Sequence, residues 1–331
     1  MEQQYIDFYK EYHTLIKQHS AALMNNFRDA AFEKFERLGF PTSKLENYKY
    51  TDMSAPLSIE YGLNINRLQF QINPYDVFKC DVPAIHSYLF FVLNDTFYPV
   101  NSTAKQHLPE GVIIESLRTA AETYPQLVEK YLGKLSNEKD DGWIAFNETF
   151  AQDGFFMYIP KNVQLSKPVQ LINIMRSDVD FMANSHNLII LEEGAKAQLL
   201  VCDHTMDHVH FFANRLTEVF AGKNSVYEHY KLENTNVLNT NVSNLLIYQE
   251  DSSNVLTNVI TLHNGVTRNN IEMLIDGENC ESLLCGMVIG DKNQDVDNFT
   301  EIVHKKPNSQ SRELFKYVLD DTSKGAFAGK I

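Results

Sequence analysis

The sequence has little positive charge, few cysteines and no long apolar segment. It contains 29 Lys and Arg against 43 Asp and Glu, and its formal net charge is −14. A chain without a basic run is a poor electrostatic match for nucleic acid or an anionic membrane, so neither is expected as a partner. No apolar run is long enough to cross a bilayer, and the first residues lack the basic-then-apolar pattern of a secretory signal. The expected location is therefore the cytoplasm.

The four cysteines, Cys80, Cys202, Cys280 and Cys285, form no C-x-x-C pair. In a reducing compartment they are expected to remain thiols. Cys280 and Cys285 have apolar neighbours in a strand-like region, which favours buried and unreactive thiols.

Familiar catalytic motifs are also missing. The sequence contains no Walker A motif, no G-x-S-x-G elbow and no G-x-G-x-x-G loop. No set of residues combines a nucleophile, a base and an orienting group. The residues alone therefore favour a scaffold or interaction protein over an enzyme, and they assign no catalytic or cofactor-binding residue.

What the chain does have is a long series of strand-like runs after Phe155, without a convincing amphipathic helix among them. The clearest stretch is Asn187–Val201, in which two apolar runs flank Glu193-Gly194. Turn signals recur every 25 to 30 residues or so, a period that indicates stacked coils. They lie at Gly194, Gly222, Ser252 and Gly277.

A parallel β-helix is the predicted fold of this half, and a jelly roll is the competing interpretation. In a β-helix the interior positions are apolar and stack on the same positions of the next coil. Asparagine is frequent near the turns, as corners with left-handed backbone require. These residues are Asn224, Asn234, Asn236, Asn239, Asn241, Asn254, Asn264, Asn269 and Asn270.

The first half is predicted to be mixed. Residues 1–38 show apolar positions at helical spacing, and Gly39 and Pro41 end that pattern. Ser43–Glu46 matches a capping box, which predicts a short helix carrying Tyr48 and Tyr50. Residues 51–84 have no clear assignment.

A hairpin and a second helical segment follow. Ser87–Leu93 reads as a strand with Thr96–Val100 as its return strand, and 115–132 reads as helix with a break at Pro125. The polar segment 133–142 is the best candidate linker. The predicted domains are therefore 1–142, helical and mixed, and 143–331, the β-helix core.

The most suggestive cluster for metal binding is Cys202–His210, which contains His204, His208 and His210. On a strand, His208 and His210 would share one face and could ligate a metal. No zinc spacing signature fits, however, and the Asp- and Thr-rich surroundings favour a solvated turn. A metal-binding protein stays an alternative.

A second alternative is a carbohydrate-active enzyme. Asp291, Asp295 and Asp297 could form a carboxylate set of the kind that glycoside hydrolysis uses. The segment also begins like a calcium loop, but Val296 replaces the required Gly and Ile302 the required Glu, which excludes that site. β-Helix enzymes of this kind are generally secreted, and the chain shows no signal.

Five ordered segments resemble the SufB/SufD family of iron–sulfur cluster assembly proteins. LGFPTSKLENYKYTDM (Leu38–Met53) resembles its N-terminal signature, with Tyr48 where Trp is usual. LFFVLNDTFYP followed by LPEGVIIESL, the segment Phe146–Ile174, and HNLIILEEGAKAQLL resemble its next landmarks. Asp297–Ile331 is similar to its late segment. The lack of a SufB-type cysteine-rich insertion and the length of the N-terminal helical region favour the SufD branch.

This resemblance implies a right-handed parallel β-helix with an N-terminal helical domain. It also implies a scaffold subunit without catalysis of its own, which pairs with SufB and binds the ATPase SufC. The parent complex builds iron–sulfur clusters and is associated with reduced flavin, so no cofactor is expected on this chain alone.

Family members continue past the Gly-Lys-Ile motif with a Cys-x-His-Gly motif and a helical domain that contacts SufC, and this sequence stops at Ile331. No functional site is therefore carried over from the family. On this basis the chain is expected to fold, to self-associate, with a homodimer as one form, and not to capture SufC by itself.

Overall fold

The fold is seen in a computed structural model, which describes residues 2–68, 74, 85–98 and 107–331. Residues 69–73 and 75–84 of the unassigned stretch 51–84, Cys80 among them, and the last two residues of the predicted return strand lie outside the described residues. Within them, the chain forms a helical region followed by a β-solenoid of about six turns. The predicted mainly-β architecture with an N-terminal helical region is confirmed.

The helices lie in the first 150 residues and follow local sequence signals. Gly39 ends the third helix with a φ of +62°, and its N–H bonds to the Phe35 carbonyl. Pro125 occupies a first-turn position, and Asp141 caps the last helix by accepting from two backbone N–H groups. The α-helices are α1 Glu2–Gln18, α2 Ala22–Asn25, α3 Arg28–Leu38, α4 Ser54–Leu57, α5 Leu117–Thr123, α6 Pro125–Tyr131 and α7 Gly142–Phe150.

The capping-box prediction at Ser43–Glu46 is wrong in its details. A single 3₁₀ turn, Glu46–Tyr48, forms there instead of a short helix that reaches Tyr50. The Lys44 N–H bonds to the Thr42 hydroxyl at 3.4 Å, so Thr42 supplies the local hydrogen bond. The reason is tertiary, because Tyr48 is buried against the solenoid and pulls the backbone out of a continuing helix.

After Phe150, all the regular secondary-structure elements that the structure describes are strands. The strands before the solenoid coils are β1 Tyr88–Leu93, β2 Thr96–Tyr98 and β3 Ile113–Ser116. The others are β4 Phe155–Ile159, β5 Val169–Met175, β6 Phe181–Leu191, β7 Lys196–Thr205, β8 Phe211–Ala221, β9 Val226–Asn234, β10 Asn239–Gln249, β11 Asn254–His263, β12 Val266–Ile275, β13 Glu281–Gly290, β14 Asp295–His304, β15 Gln310–Leu319 and β16 Lys324–Lys330.

These strands form two eight-stranded sheets. The first sheet has the order β16-β14-β12-β10-β8-β6-β4-β3, and the second has β15-β13-β11-β9-β7-β5-β1-β2. The chain alternates between the sheets, and all pairs within the solenoid are parallel. Partners in adjacent coils follow the predicted period, since Phe181 pairs with Phe211 and Thr240 with Val266. A parallel β-helix is therefore confirmed over a jelly roll.

One corner of the solenoid, which follows each strand of the first sheet, uses left-handed backbone. Gly194, Asn224, Ser252 and Asn279 have φ between +58° and +69° and stack on one another. The Gly194 N–H donates to the Lys223 carbonyl, which links successive corners. Asn and Gly adopt this region at low cost, so the turn signals recognised in the sequence have the predicted role at this corner.

Most of the asparagines predicted for corners lie elsewhere. Asn241, Asn269 and Asn270 are inside strands and fully buried, and Asn270 donates to the Asn244 side chain at 2.8 Å. Stacked amides can bond to one another from coil to coil, which satisfies buried polar groups. β10 consequently starts earlier than its apolar run, at Asn239.

The helical region packs on the outer face of the first sheet. Trp143 and Phe146 of α7 join Met182, Phe212 and Val242 in one buried cluster. The segment 133–142, predicted as a linker, is itself bound to the sheet, since Gly133 donates its N–H to the Glu218 carboxylate at 2.7 Å. The domain boundary at 142/143 stays a prediction.

Candidate functional site

The N-terminal signature is fixed to the solenoid by Arg268. Its guanidinium lies 4.4 Å from the Tyr48 ring centroid and 5.4 Å from that of Phe299, between the two rings. Nη1 contacts the Asp297 carboxylate at 2.5 Å, and Nη2 donates to the Asn47 carbonyl at 2.6 Å. Arg268 is 1% exposed, so this ion pair is buried and its geometry is specific.

Two further hydrogen bonds complete this contact between the N-terminal signature and the solenoid, which we call the Arg268 joint. The Tyr48 hydroxyl donates to Asp141 Oδ2 at 2.5 Å, and Thr51 donates its hydroxyl to Asp297. Burial, reinforced by Asp141, raises the pKa of Tyr48 well above its ordinary value. The tyrosine therefore stays a neutral donor to Asp141.

A second joint centres on Glu218 of β8, on the outer face of the first sheet. Its carboxylate accepts from the N–H groups of Gly133 and Leu135, both at 2.7 Å, and lies 2.8 Å from His186 Nε2. Next to it, the Ser136 hydroxyl donates to Glu148 at 2.6 Å, and burial raises the pKa of Glu148. These contacts hold the segment 133–136 at one position on the sheet.

The interior of the solenoid has two unlike halves. The half beside the left-handed corner is apolar, as predicted. The half beside the opposite corner is polar, which the prediction of apolar ladders did not include. We call this half the polar strip; its residues are Asn173, Asp203, Arg215, Lys231, Glu233, Asn241, Thr261, Thr267, Asn269 and Asn298.

The polar strip is bonded from coil to coil. The Asn241 amide donates to Asp203 at 3.3 Å and to Glu233 at 3.1 Å, so it bridges two carboxylates. Lys231 Nζ donates to Asn269 Oδ1 at 2.8 Å. Burial opposes ionisation of Asp203, but Arg215 and Lys231 outweigh it and lower its pKa, whereas burial raises the pKa of Glu233.

The outer face of the second sheet exposes apolar side chains over its later coils, among charged ones such as Arg312 and Lys316. We call this the open face; it consists of Leu262, Met287, Ile289, Leu314 and Val318, which are 37% to 65% exposed. Apolar patches of this kind on a flat sheet mark interaction surfaces.

The three histidines proposed as metal ligands are not arranged as predicted. His204 is in β7, whereas His208 and His210 lie in the bend that follows, so they do not alternate along one strand. His210 Nδ1 is instead 3.2 Å from Asp180 Oδ1 of the previous corner. Within the described residues, no group of three or more His, Cys, Asp or Glu side chains has a geometry that could hold a metal ion.

The carboxylates proposed for sugar chemistry are separated by their environments. Asp297 is 4% exposed and bound to Arg268, which is a structural position and not an open catalytic one. Asp295 is half-buried at the start of β14, and Asp291 lies in the preceding turn. Asp295 and Asp297 lie on the same face of β14, and burial and then the Asp297 charge act to raise the pKa of Asp295, but the ion pair with Arg268 occupies Asp297.

No disulfide joins the described cysteines. Cys202 and Cys280 are buried, and Cys280 Sγ donates to the Glu250 carbonyl at 3.1 Å. Cys285 is half-buried on the outer face of the second sheet, and burial raises its pKa, which disfavours the reactive thiolate.

Comparison with known proteins now decides the family. A model described as SufBD protein N-terminal region matches residues 1–171, and one described as SUF system FeS cluster assembly, SufBD core domain, matches 173–331. The chain belongs to the SufBD family.

Relatives are distant in sequence but cover nearly all of this chain. The SufD protein of Bacillus subtilis is 24% identical over 99% of the chain and 74% of its own length. SufBD family proteins of Synechocystis and of Arabidopsis thaliana, the latter chloroplastic, are 21% and 24% identical over 94% and 93% of the chain. This chain spans 69% and 58% of those two relatives.

No helix among the described residues has both the length and the apolar composition needed to span a bilayer.

Proposed function

We propose that this chain is a SufD-type scaffold subunit of an iron–sulfur cluster assembly complex, without catalysis of its own. Its partners would be a SufB-like subunit and a SufC-like ATPase, and its location the cytoplasm. Family membership supports the assembly system, and a curated relative over 99% of the chain is named SufD. The iron–sulfur cluster is the product of the complex and is not assigned to residues of this chain.

The open face is the observation that carries the scaffold proposal. A solenoid buries each coil against its neighbours, so its folding does not require apolar residues on the outside. Ile289 and Val318 are nevertheless 46% and 65% exposed on the second sheet. We assign this face to the SufB-like subunit, because a broad apolar surface on a rigid sheet suits stable subunit pairing.

Reduced flavin is proposed as a ligand of the assembled complex only. A groove of about 360 Å³ lies beside the signature segment and is lined by Glu46, Asp140 and Asp141. These carboxylates do not fit a flavin phosphate, because like charges repel. We derive no step through flavin for this chain.

Co-purification tests the proposal. The tagged chain would be co-expressed with the SufB- and SufC-type proteins of the same organism. The mass of the captured complex would then be measured by light scattering. We expect capture by the wild type and its loss in Ile289→Glu, which places a charge in the apolar contact. Val179→Glu is the matched control, since Val179 is 62% exposed but lies in a corner.

Two results would contradict the proposal. The first is a wild-type chain that captures neither protein although all three are soluble. The second is equal capture by Ile289→Glu and Val179→Glu, which would remove the open face as the pairing surface.

A further inference from the structure

A small cavity lies inside the solenoid, where the polar strip meets the apolar half. Its volume is about 30 Å³, and its polar lining includes Asp203, Arg215, Thr217, His229 and Ser243. By the usual requirement of about 10–15 Å³ for each water, it has room for about two waters. That space also admits one monatomic ion, but not a sulfate.

The lining is rich in hydrogen-bond donors without protein acceptors. Arg215 uses only Nη1, at 3.2 Å from Asn241 Oδ1 and 3.4 Å from Asp203 Oδ1, so within the described chain its Nε and Nη2 have no protein acceptor. The Ser243 hydroxyl likewise has no bonded partner among the described residues. The Thr217 oxygen accepts from Asn187 at 3.1 Å, which leaves its proton to donate.

His229 adds another donor. Its Nδ1 lies 2.8 Å from the Tyr227 hydroxyl, and burial keeps that phenol protonated by raising its pKa. His229 Nδ1 is the one acceptor bonded to this hydroxyl among the described residues, so we assign the phenol as the donor and the imidazole proton to Nε2, which makes Nε2–H a donor. Burial and Lys231 lower the pKa of His229 to about 4, so the ring is neutral.

The carboxylates nearby are already engaged. Asp203 accepts from Asn173 at 2.8 Å and from Asn241 at 3.3 Å, besides its contact with Arg215. Glu233, the other buried carboxylate of the polar strip, accepts from Thr267 at 2.7 Å. The cavity is therefore short of acceptors, while Arg215 contributes a buried positive charge.

We infer that this cavity binds one small monovalent anion of halide size, with the Arg215 guanidinium and the hydroxyl of Ser243 as its principal donors. An anion accepts from every surrounding donor, whereas a water must also donate two hydrogens in a place where the carboxylates are occupied. Lys231, which also lines the cavity, adds a second positive charge beside Arg215.

Anomalous diffraction tests the site directly. Crystals of the full chain would be grown with sodium bromide replacing sodium chloride, and data collected at the bromine absorption edge. We expect an anomalous peak within hydrogen-bonding distance of Arg215 and Ser243. A cavity without anomalous density at saturating bromide overturns the inference.

A thermal unfolding series tests it in solution, with bromide titrated against sodium sulfate at matched ionic strength. Bromide should raise the melting temperature of the wild type, because a ligand of the folded state stabilises it. In Ser243→Ala the bromide concentration that gives half of the rise in melting temperature should be about tenfold higher. This is the change expected from the loss of one hydrogen bond to a charged group. Ser225→Ala is the matched control, since Ser225 is buried in the solenoid away from the cavity.

The double variant Arg215→Gln, Asp203→Asn removes the ion pair, keeps the volume of residue 203 and leaves a shorter, neutral polar side chain at 215, and it should lose the bromide response. The second substitution is included because a single Arg215 variant would leave the Asp203 carboxylate buried without its partner and could fail to fold. A bromide response that is unchanged in both Ser243→Ala and the double variant would overturn the site.

Discussion

The two sheets of the solenoid differ in what covers their outer faces. On the first sheet, outward-pointing charges such as Glu218 and Arg268 are buried beneath the helical region and bonded to it. On the second sheet, the later coils present apolar residues to solvent, with Val318 65% exposed. Polar groups are thus buried where apolar groups are expected, and apolar groups are exposed where polar groups are expected.

The difference separates two kinds of contact. Buried charges need partners at fixed positions, so Glu218 and Arg268 fix the helical region in one register on the sheet. An exposed apolar face makes no such demand and gains free energy from any complementary apolar surface. We therefore interpret the first sheet as an internal joint and the second as the surface for another subunit.

The largest expected effect comes from breaking the Arg268 joint. Arg268→Met should reduce the free energy of unfolding by about 3–5 kcal/mol, because it leaves the Asp297 carboxylate buried without its partner. Urea denaturation measures the change. The double variant Arg268→Met, Asp297→Asn is the control and should recover part of the loss; a single variant as stable as the wild type would mean that the joint carries little energy.

Glu218→Gln should have the next largest effect. It keeps the shape, but the two N–H groups bond to different carboxylate oxygens, so the amide can accept from only one of Gly133 and Leu135 and turns its NH2 group toward the other, at a cost of about 1.5–3 kcal/mol. Hydrogen exchange of the N–H groups of Gly133, Leu135 and Ser136 should accelerate as well. Unchanged exchange there would show that the segment is held by packing and not by this carboxylate.

How far the sequence predicts these features depends on periodicity. Turn spacing and apolar runs predicted the coils, because Gly194 and Asn224 lie at corners that need left-handed backbone. The starts of the strands were missed, since Asn239–Asn241 and similar polar runs look like turns when read alone. Only the register between coils shows that these amides stack on one another.

The contacts around Arg268 and Glu218 could not be predicted from the sequence for a related reason. Arg268 and Asn47 are 221 positions apart in the sequence, and a lone Arg in a strand gives no sign of its partners. The signal that could have found the joint is the signature itself, since its aromatic residue, Tyr48, needs a partner surface. The prediction for His208 and His210 had the opposite fault: it brought together residues that the structure does not. It assumed strand alternation across a segment that is a bend.

A smaller effect is expected from Glu148, beside the Glu218 joint, and it depends on pH. Burial raises the pKa of Glu148 above its ordinary value of 4.5. Below pH 4.5 the group is protonated in both the folded and unfolded states; as pH rises toward the raised value, the unfolded state loses its proton first and native stability falls. Glu148→Gln removes this penalty and keeps an acceptor for Ser136.

The stability of Glu148→Gln relative to wild type should therefore increase between pH 4.5 and neutrality. Urea denaturation at several pH values measures it, with the exposed Glu122→Gln as control. A difference that stays constant with pH would mean that Glu148 titrates normally.

The smallest effect is expected on the open face, and it tests the comparison most directly. Val318→Ser should change the free energy of unfolding by less than about 0.5 kcal/mol, because an exposed valine loses little burial. Val242→Ser is the matched control, since Val242 also points outward but lies fully buried beneath the helical region. There the same change should cost about 2–4 kcal/mol, from lost apolar burial and a hydroxyl without water.

The pair of valines also separates stability from assembly. In the presence of the SufB-like subunit, Val318→Ser should weaken capture while its melting temperature stays that of the wild type, because the contact exists only in the complex. Val242→Ser should lower the melting temperature and leave the capture of correctly folded protein unchanged. If Val318→Ser destabilises the isolated chain as much as Val242→Ser does, the second sheet is covered in solution by another part of the assembly, such as a second copy, and the open face is not free for a different subunit.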